Sequence, residues 1–178
     1  IIVGNDGGVN ITYDNGANWF FANNPAVGQF YSVAVDNATP YNVYGGLQDN
    51  GVWWGPSDYE KSNYWQAAGK YPYQPLYGGD GMQVQVDTRD NATVYTGYQF
   101  GYYARVNNAT AQEEIAIRPS HKFGESPLRY NWQTPILLSR HNQDILYYGS
   151  NKFHRSMNKG ENMTTLSGDL TNEKKTGD

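Results

Sequence analysis

Three aspartates stand beside glycine in short polar turns: Asp6 in Asn5-Asp6-Gly7-Gly8, Asp49 in Gln48-Asp49-Asn50-Gly51 and Asp80 in Gly78-Gly79-Asp80-Gly81. Two carboxylates facing one cleft are the working parts of glycoside hydrolysis. An acid and a base stand about 6.5–9.5 Å apart for inversion, or about 5–5.5 Å apart for retention. Aspartate next to glycine also describes a turn whose carboxylate caps its own backbone, with no ligand involved. Near these turns lie amides and rings that could hold a ligand: Gln48, Asn50, Trp53, Gln99, Asn131, Trp132 and Asn151. Trp53-Trp54 offers a sugar-stacking ring, but neighbours in a strand point to opposite faces, so at most one of the two is free.

Other chemistries find less support. His121, His141 and His154 lack the paired spacing of zinc ligands. Asp87-Thr88-Arg89-Asp90-Asn91 supplies oxygens without the order of a calcium loop. The glycines from 78 to 81 are followed by neither a lysine nor a helix, so they do not form a phosphate loop. No metal site and no cofactor is expected. A net charge of -4 without a basic stripe argues against nucleic acid as a partner. Cysteine is absent, which removes disulfides and thiolate ligands. No apolar run approaches the ~20 residues of a spanning helix, so no membrane span is expected in this segment. The 16 tyrosines and 5 tryptophans suit either ligand contact or packing between sheets.

The elements that must position these residues follow from a repeat. Val33-Ala34-Val35-Asp36 leads into Val43-Tyr44-Gly45-Gly46, Val84-Gln85-Val86-Asp87 into Val94-Tyr95-Thr96-Gly97, and Ile136-Leu137-Leu138-Ser139 into Leu146-Tyr147-Tyr148-Gly149. The tyrosines at 44, 95 and 147 set a period of 51 and then 52 residues. A period of that size built from strand-like runs predicts an all-β chain, a β-propeller segment of four-stranded antiparallel blades. About three and a half blades are expected, in pieces near 1–24, 29–69, 81–118 and 131–171. In the clearest repeat, strand A covers Tyr31 to Asp36, B Val43 to Leu47 and C Gly51 to Trp54, with D around Trp65 to Ala68. Ile1-Ile2-Val3-Gly4 reads as a B strand whose A strand is missing, so the expected partner is the remainder of a propeller or parent chain. Antiparallel strands put the B–C turns and D–A connections on one face, which gathers the aspartates and amides above.

Thr12-Tyr13-Asp14-Asn15-Gly16-Ala17-Asn18-Trp19 fits S/T-x-D-x-G-x-x-W, the Asp-box, with Thr12, Asp14, Gly16 and Trp19 at its key positions. There Asp14 accepts backbone N–H groups, Gly16 permits positive φ and Trp19 packs between sheets. Ser156, Asn158 and Gly160 carry a degraded second copy. With this blade pattern, the chain resembles the sortilin-like and BNR (Asp-box) repeat propellers. The runs from Gly28 to Gly51, Gly79-Asp80-Gly81, Asn131 to Pro135 and Leu146 to Asn151 are similar to secreted bacterial propellers labelled glycosyl-hydrolase-like. The resemblance implies a secreted or surface-exposed propeller that binds an extracellular polypeptide or glycan through its B–C and D–A face. The alternative it implies is a xyloglucanase-like glycoside hydrolase, because Asn5-Asp6-Gly7-Gly8 is similar to a catalytic T-D-x-G-G turn. Sialidase chemistry is excluded, since it needs an arginine cluster and no arginine lies in a B–C turn. An extracellular, cell-surface or periplasmic location is expected. Asn-x-Thr at Asn10, Asn37, Asn91, Asn108 and Asn162 agrees with export.

Overall fold

The computed structural model describes residues 1–5, 8–22, 28–60 and 72–171. Asp6 and the expected D strand at 65–68 lie outside them. The described chain is all-β, with one short 3-10 turn at Gln99–Gly101 and no α-helix.

Four antiparallel sheets follow one another along the sequence. Sheet 1 contains β1 (Ile2–Asn5), β2 (Gly8–Ile11) and β3 (Phe20–Ala22). Sheet 2 contains β4 (Phe30–Val35), β5 (Asn42–Leu47), β6 (Gly51–Pro56) and β7 (Gln74–Tyr77). Sheet 3 contains β8 (Gln85–Val86), β9 (Thr93–Tyr98), β10 (Tyr102–Asn107) and β11 (Gln112–Ala116). Sheet 4 contains β12 (Ile136–Leu138), β13 (Leu146–Gly149), β14 (Phe153–Ser156) and β15 (Thr164–Thr165). In sheets 2 to 4 the strands pair in chain order and so take positions A to D. The fourth strand of sheet 2 is β7, further along the chain than the tryptophan-containing run read as strand D.

Period-two alternation explains how sheet 3 is buried on both faces. Val94 and its neighbour Tyr95 are both fully buried, yet they belong to different cores. Val84, Val86, Val94, Ala104 and Val106 meet Tyr44, Val52 and Leu76 of sheet 2. Met82, Tyr95, Tyr103 and Ile117 meet Ile136, Leu138, Leu146 and Tyr148 of sheet 4.

The polar end of strand A is also repeated. Asp36 Oδ1 accepts from the backbone N–H groups of Ala38 and Asn42, at 3.1 and 2.8 Å. Asp87 Oδ1 accepts from Arg89 N at 3.0 Å, and Ser139 Oγ from His141 N at 3.2 Å. Each closes the turn into strand B, so a carboxylate or hydroxyl recurs there to satisfy turn N–H groups.

A second local device appears after β2 and again after β14. Gly16 N donates to Thr12 Oγ1 at 2.9 Å, and Gly160 N to Ser156 Oγ at 2.9 Å. Asn18 N donates to Asp14 Oδ1 at 2.9 Å, and Asn162 N to Asn158 Oδ1 at 3.1 Å. The two glycines have φ of 98° and 89°, a region that costs glycine little. Asn158 therefore does the work of Asp14. Trp19 departs from expectation: it is 49% exposed instead of packed between sheets. Val33 and Val35 of sheet 2 are likewise left uncovered.

Candidate functional site

The B–C turn of sheet 2 is built to hold an unusual backbone. Asp49 sits at φ 59° and Gly51 at φ 72°. Aspartate tolerates that left-handed region better than most residues because its short polar chain can bond locally. The connection from sheet 2 to sheet 3 then folds back along this turn. Gly51 N donates to Gly79 O and Gly81 N to Leu47 O, both at 2.9 Å. The approach requires glycine: a Cβ at Gly81 would stand 2.1 Å from Gly51 O and 2.8 Å from Gly46 Cα.

Where these segments meet the B–C turn of sheet 3, they enclose an open cleft of about 510 Å³. It is lined by Asp49, Asn50 and Trp53 from sheet 2, Asp80 from the connection and Gln99 from sheet 3, with Pro75, Tyr77 and the backbone of Gly51, Gly78 and Gly79. Five residues chosen from sequence thus share one cleft.

Hydrogen bonds fix its walls. Asp80 Oδ1 accepts from Asp49 N at 2.9 Å, and Asp80 N donates to Gln99 Oε1 at 3.3 Å. The indole Nε1 of Trp53 donates to Asn50 O at 2.5 Å, which pins the ring beneath the turn. Asn50 Nδ2 donates to Gln48 O at 3.0 Å. Trp54, pointing the other way, stacks on Tyr44 at 5.6 Å and packs against the core. Only Trp53 reaches the cleft, as strand alternation requires.

Pro75 and Tyr77 belong to β7, the strand the sequence reading placed elsewhere. Tyr77 Oη donates to Glu113 Oε2 at 2.6 Å, and burial together with that carboxylate pushes the phenol well above its ordinary pKa. Its ring begins a row: Tyr77 stacks on Tyr98, Tyr98 on Tyr102 at 5.1 Å, and the Arg118 guanidinium lies between Tyr102 and Tyr130 at 4.2 and 4.1 Å. Each inner member of the row is covered on both sides, so it stiffens the cleft wall and offers no free ring face.

The remaining sequence candidates gather elsewhere. Trp132 is 39% exposed and meets Phe100 edge-on at 5.3 Å, while Asn131 O accepts from Thr134 Oγ1. Asn151 is buried. Its Oδ1 accepts from Arg129 N, and its Nδ2 donates to Asp169 Oδ2 at 2.7 Å. None of Gln48, Asn131, Trp132 and Asn151 lines the cleft.

Asp169 itself was not singled out from the sequence, and it clarifies Asp80. Both follow a glycine just after strand D, and both cap the B–C turn of their own sheet. The residue after each donates to a carbonyl at that turn, Gly81 N to Leu47 O and Leu170 N to Asn151 O at 2.8 Å. Asp169 also accepts from the Thr171 hydroxyl, Asn151 and Arg129, contacts that hold its carboxyl far below the usual carboxylate range. In sheet 3 Arg118 takes the same role, donating from Nε to Phe100 O at 3.2 Å. The recurring pair Gly79-Asp80 and Gly168-Asp169 was the available signal for this cap.

One of the Asn-x-Thr sites is unsuited to carry a glycan. Asn108 is 7% exposed, and its Nδ2 donates to Tyr44 Oη and Asn91 O at 2.8 and 2.7 Å, so it is spent in the core.

No known family model matches the chain, and no curated protein matches it significantly.

Proposed function

We propose that this chain is a segment of an exported β-propeller of the sortilin-like, Asp-box type. It binds a polar extracellular ligand, a polypeptide or a glycan, in the cleft beside Trp53. The observation that carries the reading is the convergence of Asp49, Asn50, Trp53, Asp80 and Gln99 on one open cleft. The propeller reading is supported by three successive sheets that stack at a 51–52-residue period and by the twice-built turn at Thr12 and Ser156. The cleft offers carboxylate and amide groups for hydroxyls or peptide groups, plus one anchored indole as an apolar platform, which is how polar ligand sites are composed.

The hydrolase alternative rests on Asp49 and Asp80 lining the same cleft. Against it stands the role of Asp80, whose carboxylate accepts from the backbone of Asp49 and is matched by the turn-capping Asp169. An acid–base pair would need both groups turned to the substrate. The test is a combined oligosaccharide and peptide array probed with the wild type and with Trp53→Ala and Gln99→Ala. Loss of an aromatic anchor worth about 2 kcal/mol should weaken capture about 30-fold. Capture unaffected by both substitutions would place the site elsewhere.

A further inference from the structure

The B–C turns of sheets 2 to 4 differ in one respect, the presence of a cation. At sheet 3 the Arg118 guanidinium lies on the Tyr102 ring at 4.2 Å, and its Nε donates to Phe100 O. At sheet 4 the Arg129 guanidinium donates from Nη2 to Asp169 Oδ2 at 2.8 Å. Sheet 2 has the fittings of both and, among the described residues, the arginine of neither. Asp80 repeats Asp169 as the glycine-preceded cap after strand D, and Trp53 supplies an aromatic ring. No basic residue is among the described residues that line the cleft, and the chain has no lysine or arginine before Lys61.

The groups left over at sheet 2 suit a cation. Asp80 Oδ1 accepts from Asp49 N, while Oδ2 has no hydrogen-bond partner among the described residues. Capping the turn does not preclude a guanidinium, since Asp169 holds Arg129 and caps its own turn at once. Trp53 Nε1 is spent on Asn50 O, so the ring face is what the indole has left, and indole attracts a cation better than any other side-chain ring. Sheet 4 also receives the backbone of its arginine. Asn151 Oδ1 accepts from Arg129 N at 2.9 Å, and Asn151 N donates to Arg129 O at 2.8 Å. Asn151 stands four residues after Tyr147; Gln48 stands four after Tyr44 and is exposed next to Asp49.

We propose that the cleft beside Trp53 takes an arginine side chain of a polypeptide ligand. The guanidinium donates to Asp80 Oδ2 and lies on the Trp53 ring, and the Gln48 amide meets the ligand backbone as Asn151 meets that of Arg129. Charge-assisted pairing and ring stacking are the two contacts for which a guanidinium is best shaped. The ligand thus reproduces in trans what sheets 3 and 4 do with arginines of this chain. An amide placed for backbone favours a polypeptide over an amino-sugar glycan, which brings an ammonium without that peptide unit. Arginine selectivity rests on the cleft being the binding site, and it gives the ligand of that site a charge and a class.

The test is fluorescence anisotropy with end-capped, otherwise neutral peptide pools whose central residue is arginine, citrulline or glutamate, and with a labelled glucosamine hexamer beside them. Citrulline keeps the shape of arginine without its charge. Wild type should bind the arginine pool about tenfold more tightly than the citrulline pool, and high salt should narrow the gap. Asp80→Asn keeps an oxygen to accept from Asp49 N. It should bind the arginine pool as weakly as the citrulline pool and leave citrulline binding unchanged. An Asp80 that only caps its turn would affect both pools alike. Equal affinity for arginine and citrulline, an arginine preference that survives Asp80→Asn, or a preference for the glutamate pool or the glucosamine hexamer would overturn the proposal. If such binding still falls with Trp53→Ala, the cleft remains the binding site. If no probe binds in a Trp53-dependent way, both readings fall.

Discussion

Replacing Tyr95 with phenylalanine should stabilise this protein, whereas the same replacement at Tyr44, its counterpart one repeat earlier, should destabilise it. Both rings are fully buried in sheet-to-sheet cores. Their hydroxyls meet different fates. Tyr44 Oη donates to Asp36 Oδ2 at 3.1 Å and accepts from Asn108 Nδ2 at 2.8 Å. Tyr95 Oη is buried without a hydrogen-bond partner among the described residues. A hydrogen bond to a charged group contributes about 1.5–3 kcal/mol, so Tyr44→Phe should cost about 2 kcal/mol. An unpaired buried hydroxyl costs about 1–3 kcal/mol, and its removal leaves a small void worth a few tenths, so Tyr95→Phe should gain about 1 kcal/mol. For a chain of this size each kcal/mol moves the melting temperature by about 2–4 °C. Tyr44→Phe should therefore melt about 4–8 °C lower, and Tyr95→Phe about 2–4 °C higher. Thermal melts followed by far-UV circular dichroism, with urea titrations beside them, read both signs. A Tyr95→Phe protein that melts as far below wild type as Tyr44→Phe would refute the reasoning, because its hydroxyl would then have to be bonded.

Asp80→Asn should hold stability within about 0.5 kcal/mol, since an amide oxygen can still accept from Asp49 N, while Asp80→Ala should lose about 1–1.5 kcal/mol in the same melts. His154 is buried, held between Ser150 Oγ and Thr165 Oγ1, and burial together with Lys152 lowers its pKa. The unfolded chain then binds the proton more readily. His154 should leave stability intact above about pH 6.5 and subtract from it as pH falls below that value. Urea midpoints taken from pH 8 to pH 5 should show this slope, and His154→Gln should flatten it. Gly81→Ala should cost about 3 kcal/mol or more because its new methyl would meet backbone, whereas Gly78→Ala, where a Cβ meets nothing within 4 Å, should melt within about 2 °C of wild type.

Strands were legible wherever the repeat was strong. The tyrosine repeat located β5, β9 and β13 because a residue buried between two sheets must be apolar or aromatic on both faces. Strand β7 was not legible: Gln74-Pro75-Leu76-Tyr77 is short, contains proline and buries only Leu76. Missing it hid Pro75 and Tyr77 from the site. The cleft residues from the B–C turn and the glycine-rich connection could be read because φ restrictions and strand topology together put them at one end of sheet 2. Asn151 and Asp80 show where residue type misleads, since an amide or carboxylate in a turn is as able to satisfy backbone as to greet a ligand. Only the bonding partners separate those roles, as Asp169 does for Asp80. The degraded motif at Ser156 was readable because asparagine offers the same acceptor oxygen as aspartate.

The claim that the cleft beside Trp53 binds without cleaving is tested most directly by product analysis. Oligosaccharides and peptides captured by the wild type should be incubated with it and examined by mass spectrometry. The account predicts that every captured ligand is recovered intact. Cleavage products that form with the wild type and disappear with Asp49→Asn would contradict it and make the aspartates a catalytic pair.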